Sequence, residues 1–118
     1  MAVNYKILGQ IRLTTNSEGA IFTVPAGHQY IVSSLVVCNY GTDPAKPWVY
    51  ALYDTVTQVP DTTNQIMPGI IMQPKTTEVL TIGMTFEPGD RLYAANAQIN
   101  LPFDAPVVTF TAFGSDNY

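Results

Sequence analysis

The amino-acid sequence predicts an all-β fold, a single-domain antiparallel β-sandwich of jelly-roll or other Greek-key type with seven to eight short strands. Nine prolines and eight glycines interrupt the chain so often that few windows could hold a helix of ordinary length. Threonine, valine, isoleucine and aromatic residues are abundant, and these side chains favour strands. Strand-like segments recur about every 8 to 14 residues, which is typical of a two-sheet sandwich, with a small barrel as the alternative.

Period-two alternation of side chains places the strands along the chain. The longest is HQYIVSSLVVCN, residues 28–39, which is apolar on both faces near its end. We therefore expect it to be a central strand that is covered on both sides. The predicted strands are 5–13, 20–24, 28–39, 48–54, 76–86, 90–96 and 106–114.

Two further predictions concern the structure of residues 55–74 and the two faces of strand 5–13. Residues 55–74 are interrupted by prolines, so at most one short strand or a helical turn is expected there, beside an apolar patch. The patch comprises Ile66, Met67, Ile70, Ile71 and Met72. In strand 5–13, one face is predicted to carry Ile7, Gly9, Ile11 and Leu13, and the other Lys6, Leu8, Gln10 and Arg12.

Two turns are predicted from the proline, glycine and aspartate residues that they contain. In Pro25-Ala26-Gly27, proline fixes φ and glycine can adopt a positive φ, so a tight turn is expected to set the register between strand 20–24 and strand 28–39. In Pro88-Gly89-Asp90, the Asp90 side chain is expected to cap the backbone of the turn.

Length and charge limit the function classes. The chain has 118 residues, which is the size of one domain spanning 1–118. Its net charge is -4 and only five residues are basic, too few for a basic patch, so nucleic acid is not expected as a partner. Charged residues make up only 12% of the chain, and a neutral polar surface suits packing against other protein.

Targeting signals are not expected either. The N-terminal residues lack a basic segment followed by an apolar run, and no stretch approaches the roughly 20 apolar residues of a membrane span. Membrane insertion is therefore not predicted. Cys38, the single cysteine, cannot form an internal disulfide, so synthesis in a reducing cytoplasm is expected.

The sequence does not predict a catalytic or metal-binding arrangement of residues. His28 is the single histidine and is expected to be an ordinary exposed residue at the start of a strand. Cys38 lies at the other end of that strand, about 33 Å away, so the two cannot form a nucleophilic pair, and Cys38 is expected to be a small buried hydrophobe. The carboxylates expected to serve turns rather than catalysis or calcium binding are Asp54, Asp61, Asp90 and Asp104.

No phosphate-binding loop, nucleophile elbow or dinucleotide fingerprint is present. We therefore expect a non-enzymatic protein with no cofactor and no metal. An enzyme of cupin type is disfavoured, because cupin metal sites need several histidines.

Exposed aromatic and methionine side chains are the candidates for recognition. Aromatic residues on a sandwich face can belong to the core, form a protein interface or stack against a sugar. These three alternatives also apply to Tyr40. Methionines either fill gaps or form adaptable contacts. The candidate protein interface comprises Trp48, Tyr50, Tyr53, Met67 and Met72.

Several stretches, taken in order, resemble a known family. They are residues 5–10 (YKILGQ), 22–27 (FTVPAG) followed by 31–39 (IVSSLVVCN), then 88–90 (PGD) and 110–114 (FTAFG). This order resembles small virion structural proteins of tailed bacteriophages, cyanophages among them. The resemblance covers most of the chain and is thinnest over 55–77.

The resemblance implies a β-sandwich subunit that decorates or cements the capsid or forms part of the neck, tail or fibre base. Its implied partners are major capsid or neck and tail subunits and further copies of itself, and its implied location is the virion after assembly in the host cytoplasm. The alternative is a tail or fibre sandwich that binds a carbohydrate or the host surface, with a surface glycan as partner of the aromatic set.

Overall fold

The computed structural model describes residues 3–14, 16–53, 59–97 and 107–118. These residues form eight strands, and the predicted strands agree with them to within a few residues at each end. The middle of the chain provides one short strand. In chain order the strands are β1 (Val3–Leu13), β2 (Ser17–Thr23), β3 (Gln29–Asn39), β4 (Lys46–Leu52), β5 (Gln65–Met67), β6 (Thr76–Phe86), β7 (Arg91–Ala97) and β8 (Val108–Asn117).

The strands form two four-stranded antiparallel sheets. Sheet A has the order β1-β8-β3-β6 and sheet B the order β2-β7-β4-β5. Apart from β4 and β5, consecutive strands lie in opposite sheets, so the chain crosses repeatedly between the two layers. This is the topology of a jelly roll. The predicted fold class is confirmed.

The core lies between the two sheets, where alternate residues of every long strand point inward. Phe86, Phe110 and Leu35 of sheet A and Leu92 of sheet B belong to this core, and all four are fully buried. At one end of the sandwich the ring of Phe22 lies edge-on to those of Tyr30 and Phe86, with centroids 5.1 and 5.2 Å apart. This aromatic cluster joins the two layers.

The face prediction for β1 is wrong at its centre. Leu8 is buried, whereas Ile7 is 52% exposed. The cause is a β-bulge: the pairing of β1 with β8 shifts register between Ile7 and Gly9. Leu8 is the extra residue and reverses the alternation, so that Leu8 itself and, further along β1, Leu13 face the core.

The Pro25-Ala26-Gly27 turn has the predicted geometry but a different role. Gly27 has a φ of 83°, and the amide of His28 donates to the carbonyl of Pro25 at 3.2 Å. However, β2 pairs with β7, and β3 pairs with β6 and β8. The turn therefore carries the chain from sheet B to sheet A, and it does not set a register between β2 and β3.

The long strand β3 is central in its sheet, as expected, but the described residues cover only one of its faces. Its inward residues are buried, whereas Ile31, Val36 and Cys38 on the outward face are half-buried. Cys38 is therefore not the buried hydrophobe that the sequence predicts. The apolar run at the end of β3 thus reflects a half-buried outer surface of sheet A.

Candidate interaction surface

Among the residues that the structure describes, the sandwich is open on the side where β5 and β6 lie. β6 forms the edge of sheet A over eleven residues, whereas β5, the edge of sheet B, has only three. Because β5 is so short, the inward side chains of β6 extend beyond it, and Leu80, Ile82 and Met84 remain half-buried. The opening is a groove lined by Ile66, Met67, Pro68, Ile70, Ile71, Met72, Glu78 and Leu80.

The rim of this groove is apolar and exposed. Ile70 and Ile71 are both more than half exposed, and so is Val79 on the outward face of β6. The segment that carries the two isoleucines is anchored where Ala45 and Met72 exchange backbone hydrogen bonds of 2.9 and 2.8 Å. The rim is thus held in place by backbone pairing.

The predicted interface residues occupy three separate places. Met67 and Met72 are buried and form part of the floor of the groove. Trp48 and Tyr50 are half-buried on the outward face of β4. Tyr53 is exposed at the end of β4 and stacks on Phe86, with ring centroids 5.3 Å apart.

Trp48 is packed by its neighbours within the chain. A Cβ added to Gly69 would collide with the Trp48 ring, so the indole lies directly against the backbone at this glycine. The ammonium of Lys46 lies 5.3 Å from the centroid of the ring, in a cation–π contact. Trp48 therefore joins β4 to the segment that follows β5.

The sequence predicts one wall of the groove but not the other. The apolar patch of residues 66–72 is recognisable in the sequence, whereas the contribution of β6 to the groove is not. Leu80, Ile82 and Met84 alternate with Thr81, Gly83 and Thr85, which is the pattern of an ordinary core face. The prolines predict a short strand in residues 55–74, but not that it lies on the same side of the sandwich as β6, which decides whether that face is covered.

A second feature is a buried carboxylate at one end of sheet A. Asp116 in β8 is almost fully buried, with Oδ1 2.7 Å from Nδ1 of His28 and Oδ2 3.1 Å from Nζ of Lys6. An ionised carboxylate can only accept hydrogen bonds, so Nδ1 of His28 donates. Tyr118 lies against His28, with ring centroids 4.9 Å apart. The expectation of an ordinary exposed histidine is wrong, because Asp116 lies beside it in space and 88 residues away in sequence.

These contacts and the burial of Asp116 shift the pKa values of Asp116 and of two neighbouring groups. Burial raises the pKa of Asp116, but the hydrogen bonds from His28 and Lys6 lower it by more, so the pKa lies below its ordinary value. The pKa of Lys6 is raised, chiefly by its hydrogen bond to Asp116. The pKa of Tyr30 is raised by burial and by the charge of Asp116. The group is thus a network centred on one carboxylate.

Of the four carboxylates predicted to serve turns, Asp61 and Asp90 are described, and both do so. Asp90 Oδ2 accepts from the amide of Glu87 at 2.9 Å. Asp61 accepts from the amide and hydroxyl of Thr63, and these bonds lower the pKa of Asp61. Asp54 and Asp104 lie outside the described residues.

Within residues 3–14, 16–53, 59–97 and 107–118, no three His, Cys, Asp or Glu side chains come together as a metal site would need. None of these residues forms a helix that could cross a membrane.

Comparison with known proteins gives structural matches alone. No protein-family model and no curated protein sequence matches the chain. A chain in the structure of infectious bursal disease virus, Gt strain, matches with a TM-score of 0.54 and 10% identity, over 98% of this chain and 32% of that one. The Gx strain gives a TM-score of 0.53 and 11% identity, over 98% of this chain and 30% of that one.

A third match, the tobacco streak virus coat protein dimer, has a TM-score of 0.47 and 11% identity, over 90% of this chain and 86% of that one. The chain spans about a third of the length of the two bursal disease virus chains. Those two matches establish a shared fold. This chain has a jelly roll that also occurs in viral proteins.

Proposed function

We propose that the protein is a non-enzymatic structural subunit of a virus particle and acts through protein–protein contacts. The observation that carries the proposal is the eight-strand jelly-roll topology, which matches a chain of a virus structure over 98% of this one. The apolar groove beside β6 adds support, since exposed apolar patches with few charges mark sites of protein association.

The resemblance in sequence directs the proposal to tailed bacteriophages. On this reading the protein decorates or cements the capsid, or forms part of the neck or tail, and its partners are capsid or neck and tail subunits and further copies of itself. The composition agrees, because 12% charged residues leave a surface that is mostly neutral and polar. Interface cores are likewise depleted in charge.

The alternative, binding of a surface glycan by the aromatic set, has less support. Sugar stacking needs a free aromatic face. Trp48 is packed against Gly69 and contacted by Lys46, and Tyr53 stacks on Phe86. These rings already have partners within the chain, so the protein interface remains the favoured role.

The proposal is tested on particles of the virus that encodes the chain. Particles are purified by density gradient, and their proteins are identified by mass spectrometry. The protein should band with the particles and resist washing at moderate salt. Particles made without the protein should take up the purified chain on mixing. A protein found only in the soluble fraction, with no uptake, contradicts the proposal.

A further inference from the structure

A pocket separate from the groove lies at the end of sheet A where β3 begins and where β6 and β8 end. Its volume is about 420 Å³, and its lining combines an aromatic ring with several polar side chains. The polar and aromatic lining residues are His28, Gln29, Glu87, Asn117 and Tyr118. The candidate interface predicted from the sequence includes none of them.

Two turns hold the walls of this pocket in place. Gly27 belongs to the turn that precedes β3, and Pro88 to the turn that follows β6. The amide of Gly89 donates to the carbonyl of Val24 at 2.9 Å, and the amide of Val24 donates to the carbonyl of Asp90 at 3.0 Å. These backbone hydrogen bonds tie the two turns together, so the fold itself sets the width of the pocket.

Glu87 supplies a negative charge that the described residues do not neutralise. Its Oε1 accepts from Nε2 of Gln29 at 2.8 Å, and Oε1 of Gln29 accepts from Nδ2 of Asn117 at 3.1 Å. These neutral groups orient the carboxylate. Among the described residues no cation forms an ion pair with Glu87, whereas the carboxylate of Asp116 has Lys6 at 3.1 Å. Glu87 therefore has a charge to offer a partner.

Tyr118 supplies an aromatic surface beside this carboxylate. The residue is 52% exposed, and the ring of His28 lies against it with centroids 4.9 Å apart and planes inclined by 31°. The imidazole thus supports the tyrosine ring, and the exposed part of the ring remains available to a ligand. A cation is attracted to the face of such a ring.

Asn117 adds a hydrogen-bond acceptor. Its Oδ1 is buried and has no hydrogen-bond partner among the described residues. Solvent does not reach this oxygen in the present conformation, so it becomes available only when a lining side chain moves. A buried acceptor without a partner favours a ligand that donates hydrogen bonds. The carboxylate, the ring and this oxygen therefore favour the same ligand, a cation with several donors.

We infer that this pocket binds an arginine side chain of a neighbouring subunit. The guanidinium group is planar and carries five N–H donors, so it can stack on an aromatic ring and pair with a carboxylate at once. A lysine ammonium is a point charge without a face to stack, and a neutral sugar leaves the charge of Glu87 uncompensated. The inference rests on the proposed function, because it names the chemistry of the partner that the subunit contacts.

The first experiment titrates the full chain with N-acetyl-arginine amide and follows the backbone amide signals by NMR. Signals of the pocket residues should shift and saturate with a roughly millimolar dissociation constant, as a single side chain allows. The citrulline analogue, similar in shape but uncharged, should bind about threefold or more weakly. An absence of saturable shifts overturns the inference, as does equal affinity for citrulline. Saturation by a methyl glycoside instead would assign the pocket to a glycan and also overturn it.

A pair of matched variants tests the carboxylate. Glu87→Gln should raise the dissociation constant about threefold or more, whereas Glu78→Gln should leave it unchanged. Glu78 is also exposed and lies roughly 30 Å away along β6. Circular dichroism confirms that both variants fold. An equal response to the two substitutions would place the binding elsewhere and overturn the inference.

A second pair tests the aromatic ring. Tyr118→Phe keeps the ring and should bind like the wild type, whereas Tyr118→Leu should bind about twofold or more weakly. Equal binding by the phenylalanine and leucine variants would contradict stacking on this ring.

Particle uptake of the Glu87→Gln and Glu78→Gln variants separates this inference from the proposed function. The inference predicts that Glu87→Gln is taken up less than the wild type and that Glu78→Gln is taken up equally. If all three proteins are taken up equally, the inference fails and the proposed function stands. If the wild type is not taken up, the proposed function fails, and the titration still decides whether the pocket binds arginine.

Discussion

Nδ1 of His28 lies 2.7 Å from Oδ1 of Asp116, and this contact joins the start of β3 to the end of β8. The carboxylate is almost fully buried, whereas its other partner, Lys6, is exposed. A buried charge is tolerated only when it is paired. His28 is therefore part of the structure of sheet A.

The first prediction concerns the histidine. His28→Ala should lower the free energy of unfolding by about 1–3 kcal/mol, because the buried carboxylate loses one of its two charged or polar partners. Chemical denaturation monitored by circular dichroism measures this. His28→Ala with wild-type stability would show that the Lys6 contact alone satisfies Asp116.

The second prediction concerns pH. The folded-state pKa of Asp116 lies below its unfolded value of about 3.9. The unfolded chain therefore takes up this proton first as the pH falls. The stabilisation is present above about pH 4 and is lost as the pH decreases through the folded pKa.

Asp116→Asn should remove this part of the acid dependence. Thermal melts between pH 7 and pH 2 compare the two proteins, and the difference between their curves isolates Asp116 from carboxylates common to both. The wild type should lose its advantage over the variant at acid pH. Parallel curves over the whole range would contradict the role given to the carboxylate.

The third prediction concerns the turn between the sheets. Gly27 has a φ of 83°, and a Cβ added there would meet no atom within 4 Å. Gly27→Val should therefore cost about 1–3 kcal/mol through backbone strain alone. Gly27→Asn should cost less, because asparagine tolerates this conformation. Equal melting temperatures for the valine and asparagine variants would refute the strain argument.

The fourth prediction uses Trp48, the single tryptophan, as a reporter. A Cβ at Gly69 would collide with the indole ring, so Gly69→Ala should displace the ring and shift its fluorescence to longer wavelength as it becomes more hydrated. The expected loss of stability is about 1–3 kcal/mol. Gly27→Ala, remote from the ring in sequence, is the control and should leave the emission maximum unchanged.

The strands were predictable from local patterns, but the side-chain partners were not. The alternation in β6 and β7 places both strands to within a residue, because period-two burial is a local property. The bulge that turns Leu8 inward depends on pairing with β8, about a hundred residues away. The His28–Asp116 pair depends on the same kind of long-range register.

The candidate interface shows the same difference between what local patterns predict and what depends on contacts distant in sequence. Met67 and Met72 are predicted either to fill gaps or to form adaptable contacts, and the structure places both, buried, in the groove floor. Trp48 and Tyr53 belong to the same predicted set, but Trp48 lies on the outward face of β4 and Tyr53 lies beyond the end of that strand. The prolines predict that the strand in residues 55–74 is short, but the groove also depends on that strand lying on the same side of the sandwich as β6, and no local pattern encodes this placement.

The central claim is that this jelly roll is a structural subunit of a virus particle. An electron cryomicroscopy map of purified particles of the encoding virus tests it most directly. The account predicts ordered density on the capsid, neck or tail into which the two four-stranded sheets fit, with side-chain density matching Trp48 and the Phe22–Tyr30–Phe86 cluster. A map in which every ordered protein density is accounted for by other chains would contradict it.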